Sequence, residues 1–196
     1  MNNQHLAGIV LLLCSISYNK YGDYKHMTNK EIIKNLQSKS NSIVIDTLQH
    51  IEKEGNKDVL IHVIDLLSDT SETIIRDKVI RILENLREQD CTPIVVKAVE
   101  NPDYKDILSI LVSACWKNSL NYSNYVETFT DLFIKADFQL AFDAFTVIDN
   151  METIDLALAE SCILRLENAV EDIKDDKKPL YFELIDIISD KRENPA

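Results

Sequence analysis

Apolar and polar residues alternate along this chain with a helical period. Over 58–67, Val59, Leu60, Val63, Ile64, Leu66 and Leu67 form one broad apolar helix face. A polar break over 68–73 follows, and Ile74, Ile75, Val79, Ile80, Ile82, Leu83 and Leu86 then repeat the period. Two amphipathic helices joined by so short a loop lie antiparallel. Neither can bury its apolar face alone, so the pair needs neighbours.

The flanking segments supply them. Thr28 and Glu31 stand at capping-box spacing ahead of Ile32, Ile33 and Leu36. A second helix carries Ile43, Val44, Leu48 and Ile51 and stops at Gly55, a helix-terminating glycine. A shift of 31 residues lays Leu36 on Leu67, Ile43 on Ile74, Asp46 on Asp77, Leu48 on Val79 and Ile51 on Ile82. Such self-similarity is the signature of a repeat architecture. Thr92 and Pro93 read as an N-cap and first-turn proline opening a helix over 94–100, with a partner over 107–116. Helices over 125–134 and 138–148 form the next pair, and 154–170 pairs with 180–189, where Pro179 suits the first turn. The predicted fold is all-α, an α-solenoid (superhelix) of about five antiparallel helix pairs at 28–54, 57–90, 92–118, 122–150 and 152–190. One domain then covers 28–190, between an N-terminal segment 1–27 (a capping helix or tether) and a short tail 191–196.

The stretch 59–86, with Leu66-Leu67-Ser68-Asp69 followed by Ile75-Arg76, resembles a HEAT repeat of the HEAT/armadillo-like family. The resemblance is sharpest over 57–90, fair over 28–54, and a matter of helical periodicity over 92–190. It implies that Asp69 and Arg76 support each other between helices, as architectural rather than catalytic residues. It also leaves an enzymatic alternative open, since small HEAT-like proteins include alkylpurine DNA glycosylases and bilin lyases.

Composition narrows the chemistry. Of 196 residues only three are glycine and four proline, where an average protein holds about 12% of the two together. The glycines (Gly8, Gly22, Gly55) are too scattered for a phosphate-cradling loop. Formal net charge is −12, and it is uneven: residues 1–39 carry +3 and the remainder −15, with −9 inside 118–173. That sign repels a phosphate backbone and favours a basic partner protein. Cys14, Cys91, Cys115 and Cys162 show no paired spacing and read as buried thiols. The apolar run 6–13 is too short to span a bilayer core of about 30 Å, and only His5 precedes it as a basic group. No transmembrane span and a cytoplasmic location are expected, with export through residues 1–17 as the lesser alternative.

No catalytic residue, metal ligand or cofactor site is read from the sequence. His5, His26, His50 and His62 lack ligand spacing, and no GxSxG elbow is present. Glu171-Asp172 and Asp175-Asp176, among Lys174, Lys177 and Lys178, read as an exposed, solvated loop. Tyr18, Tyr21 and Tyr24 read as a packed tether rather than a nucleic-acid stacking platform. Trp116 has two readings, a partly buried side chain at a repeat junction or an anchor for a partner. Asp131, Asp137, Asp143 and Asp149 recur every six residues. That step cannot keep them on one helix face, but they could rim a groove around Phe129, Phe133, Phe138, Phe142 and Phe145, themselves read as core. These four aspartates and Trp116 are the candidate binding residues. The function expected is a non-enzymatic protein-binding scaffold for a basic partner; an acidic inhibitor or immunity-type protein is a third alternative.

Overall fold

A computed structural model describes residues 27–193 of the chain. Its described part is all-helical. Ten α-helices follow in order: α1 (Asn29–Leu36), α2 (Asn41–Glu54), α3 (Leu60–Asp69), α4 (Thr73–Glu84), α5 (Thr92–Val99), α6 (Leu108–Lys117), α7 (Val126–Lys135), α8 (Phe138–Asp149), α9 (Leu156–Asn168) and α10 (Lys178–Asp190). Short 3-10 turns lead into α3, α5, α6, α7 and α10. Leaders Lys57–Val59, Pro102–Ile107 and Ser123–Tyr125 are each tied by an asparagine carbonyl (Asn56, Asn101, Asn121) that accepts from a backbone amide two residues on.

Local signals set several boundaries. Thr28 closes the capping box, its hydroxyl accepting from the Glu31 amide while the Glu31 carboxylate accepts from the Thr28 amide. Gly55 ends α2 at φ 65°, in the left-handed region that glycine adopts cheaply. Pro179 lies in the first turn of α10. Thr92 is a correction: Cys91 takes the N-cap position, and the buried Thr92 hydroxyl instead accepts from Gln89 Nε2 at 2.7 Å.

Packing follows the pairing. Each odd helix lies on the even helix after it. The even helices also pack in succession, α2 on α4, α4 on α6, α6 on α8 and α8 on α10. Among the odd ones, α1 packs on α3, α3 on α5, and α7 on α9. One apolar cluster runs from Ile32 to Ile188, with Leu48, Leu67, Leu111, Phe129, Phe133 and Leu184 fully buried. Cys91, Cys115 and Cys162 are buried and free within it, while Cys14 lies outside the described residues.

Side chains also tie the second, third and fourth pairs to the pair that follows, at the helix ends. The last carbonyls of an α-helix have no partner inside it. Asn118 Nδ2 donates to the Leu83 carbonyl beside the end of α4 (3.3 Å), and Asn150 Nδ2 to the Trp116 carbonyl at the end of α6 (3.1 Å). Lys191 Nζ does the same for Met151 beyond α8 (2.7 Å). Residues 191–193 thus contact the helical body. Ile154–Asp155 (β1) and Arg192–Glu193 (β2) add a two-residue parallel ladder there.

Glu171, Asp172, Asp175 and Asp176 are exposed as expected of a solvated loop, but Lys177 within it is not. It is 1% exposed, and its ammonium donates to the Phe133, Ile134 and Ala136 carbonyls (2.8, 2.9 and 2.9 Å), capping the C-terminal end of α7. It also sits 5.6 Å from the Phe133 ring centroid. Burial, and secondarily Lys174, lower its pKa below the ordinary lysine value. Replacing Lys177 with Met should strand three carbonyls and cost about 3 kcal/mol of unfolding free energy. Urea unfolding checks this; a loss under about 0.5 kcal/mol, the size of an ordinary surface substitution, would show that the carbonyls find other donors.

Candidate functional site

Of the residues singled out in the sequence, Trp116 and Asp143 meet at the junction of the third and fourth pairs, and no single acidic rim forms. Asp143 is 9% exposed and faces inward from α8, because its position turns toward α6. There its Oδ1 accepts from Trp116 Nε1 at 3.1 Å. Trp116 is half-buried, and Lys117 Nζ stands 5.2 Å from its ring centroid. The tryptophan thus packs at a junction with its polar edge satisfied.

The other three aspartates lie apart. Asp131 on α7 pairs with Lys135 (2.8 Å) and with Arg165 of α9 (3.0 Å). Asp137 is the N-cap of α8, its Oδ1 accepting from the Leu140 amide at 3.1 Å. Asp149 ends α8, exposed and outside every ion pair among the described residues. Phe129, Phe133 and Phe145 are core, but Phe138 and Phe142 are corrections, each 43% exposed. Arg76 bonds to partners other than Asp69: its Nη1 donates to the Leu67 and Thr70 carbonyls at the end of α3 (2.8 and 3.2 Å), while Asp69 is exposed.

Beside Trp116 lies a cavity of about 280 Å³ lined by Cys115, Asn118, Tyr122, Asn150 and Met151 among others. Asn118 Nδ2 donates to Tyr122 Oη at 3.0 Å. Burial pushes the Cys115 thiol up to about 12, and burial and the neighbouring thiol raise the Tyr122 phenol. Both groups stay protonated near neutrality, so neither offers the anion that nucleophilic chemistry needs. A wider cleft of about 640 Å³ opens between the first two pairs, lined by Ile51, Leu60, Ile82 and Leu86 together with Arg81 and Arg87 among others. No three His, Cys, Asp or Glu side chains gather as metal ligands among the described residues.

No protein-family model matches the chain, and no curated protein matches it either.

Several interacting residues escaped the sequence reading. Arg165 bridges Asp131 and Glu127 (2.9 Å), and Ser161 donates to the same Glu127 oxygen at 2.5 Å. Tyr104 donates to Asp65 at 2.5 Å, while His62 lies 3.4 Å from the other oxygen of that carboxylate. Burial, then the Asp65 bond, push the Tyr104 phenol up to about 12. One signal was available: Asn85, Asn118 and Asn150, at near-constant spacing, each occupy the position that ends an even-numbered helix.

Trp116→Phe removes the donor to a buried carboxylate and should cost about 1–2 kcal/mol, whereas the double variant Trp116→Phe/Asp143→Leu should recover part of that loss. In a denaturant-based double-mutant cycle completed by Asp143→Leu, a double-variant loss equal to the sum of the two single losses would show no coupling. Burial raises the pKa of Asp131, but the hydrogen bonds from Lys135 and Arg165 outweigh it and hold the carboxyl below its ordinary 3.8. The stability this network supplies is complete above that value and is lost as pH falls through the lower folded pKa. Asp131→Asn should therefore lose less stability than the parent between about pH 5 and about pH 2. Parallel acid-unfolding curves would contradict the assignment.

Proposed function

We propose that this chain is a non-enzymatic protein-binding scaffold, an α-solenoid of five helix pairs whose partner is a basic protein. Two features support the solenoid. Polar bonds repeatedly join residues one pair apart, as in Lys57 with Asp90, Glu84 with Lys117, Gln89 with Asn121 and Asp131 with Arg165. The even helices also pack in an unbroken succession. In a stack of that kind each pair touches only its neighbours, and a long ridged face remains open for docking.

The sign of the partner's charge rests on one observation. Exposed carboxylates of the last two pairs, Asp149, Glu152, Glu160, Glu167, Glu171 and Asp186, stand outside every ion pair among the described residues. Carboxylates left uncompensated in this way contribute nothing to cohesion and repel one another. They do create a negative field that steers a cationic surface toward the chain.

The full chain, immobilised and exposed to a lysate of its own organism, should retain a protein with a Lys/Arg-rich surface. Retention should fall at least tenfold between about 50 and about 300 mM salt, as the ionic contacts are screened. Retention of an acidic protein, or of a partner indifferent to salt, would overturn the reading.

A further inference from the structure

The outward surface of the even helices changes character along the chain. Their burial patterns place Asp46 of α2, Asp77 of α4, Ser109 of α6, Phe142 of α8 and Phe182 of α10 at corresponding exposed positions. For the last two helices the match is fixed by three buried pairs, Ala141 with Tyr181, Ala144 with Leu184 and Ile148 with Ile188. A position that is aspartate or serine in three pairs has no packing need for an apolar side chain. In the fourth and fifth pairs it is phenylalanine.

The aromatic character continues along α8. Phe138 stacks on Phe142, and Phe142 on Phe145, each with centroids 6.3 Å apart. Phe138 and Phe142 are each 43% exposed and Phe182 is 62% exposed. Given about 200 Å² for a phenylalanine, the three leave about 300 Å² of aromatic surface in water. Acidic groups border it. Glu183, Asp186 and Asp190 share the exposed face of α10 with Phe182, and Asp149 ends the Phe138–Phe142 stripe of α8; none of the four is in an ion pair. Lysine near the head of this face is neutralised, since Lys178 pairs with Asp175 at 2.6 Å.

We infer that the outer face of α8 and α10 is a docking ridge for an amphipathic basic helix of the partner protein, its apolar side chains seated on Phe138, Phe142 and Phe182 and its lysines or arginines facing Asp149, Glu183, Asp186 and Asp190. This rests on the protein-binding reading above and names the surface that performs it. Charge selects the occupant. An anionic membrane would be repelled by the same carboxylates, and a second copy would bring its own acids against them. A helix with one apolar and one basic side answers both halves of the surface.

The test uses the full chain and a synthetic helical peptide of leucine and lysine with its leucines on one face. One control peptide has the same composition scrambled to abolish that face, and another is an amphipathic helix of leucine and glutamate. Fluorescence anisotropy should show the leucine–lysine helix binding at least tenfold more tightly than either control. Phe142→Gln/Phe182→Gln should weaken it at least tenfold, and Asp149→Asn/Glu183→Gln/Asp186→Asn/Asp190→Asn should weaken it and flatten its salt dependence. Ile74→Gln, at a residue exposed on α4, should change nothing. All substituted positions are exposed, and unchanged circular dichroism melting verifies the fold. Undiminished binding by Phe142→Gln/Phe182→Gln, or equal binding of the glutamate helix, would overturn the ridge. So would sedimentation showing that the parent chain dimerises and this variant does not. A basic partner from the lysate held equally by parent and variant would sink the ridge and leave the scaffold function standing. A lysate yielding no partner, beside a peptide that binds as expected, would do the reverse.

Discussion

A helix that ends between neighbouring helices carries carbonyl groups that its own backbone cannot satisfy. Short helices multiply the problem, and this chain has ten of 8 to 14 residues in its described part. The solution is to let the following pair supply the donor, as Asn118, Asn150 and Lys191 do in turn for α4, α6 and α8. The apolar core alone would allow the pairs to slide, because apolar contact is non-directional. Directional bonds at the helix ends fix the register, and every outward-facing position inherits its place from that register. The first junction departs from the pattern: Asn85 turns back to the Arg81 carbonyl of its own helix. The cleft between the first two pairs opens at that end.

How much of this could be read from the sequence depended on the range of the interaction. The Thr28–Glu31 box, Gly55 and Pro179 act within a few residues, so their spacing carried the information. Helix pairing was legible for the same reason, since amphipathic period is a local property. Lys177 was not. Set among Lys174, Asp175, Asp176 and Lys178 it looks solvated, and its burial is decided by three carbonyls more than 40 residues away. Thr92 failed on a smaller scale, because a 3-10 turn over Gln89–Cys91 moved the helix start by one position.

The candidate site was less legible than the fold. Asp131, Asp137, Asp143 and Asp149 look alike in sequence, yet one is bridged by arginine, one caps a helix, one holds an indole and one is open to water. Composition counts them equally. Only the helix face and its neighbour decide which charge is spent on structure. The phenylalanines misled in the opposite direction: Phe133 and Phe142 occupy similar apolar runs, but one is buried on α7 beside Lys177 and the other points outward. Apolar period locates a face, and the number of helices packed around that face determines whether it is dry.

These two failures have a common cause with a functional consequence. Where helix pairs pack in succession, a side chain has three possible surroundings: the shared interior, the junction with a packed neighbour, or water. Selection for stability acts on the first two. At the third, an acid or a serine is sufficient, as Asp46, Asp77 and Ser109 illustrate. Phe142 and Phe182 at the corresponding positions gain little from burial in the free chain and enlarge its exposed apolar surface. Their uncompensated acidic neighbours likewise add repulsion without cohesion. Both features are costs to the isolated fold that a basic amphipathic partner would convert into buried contact, and they fall on the same two helices.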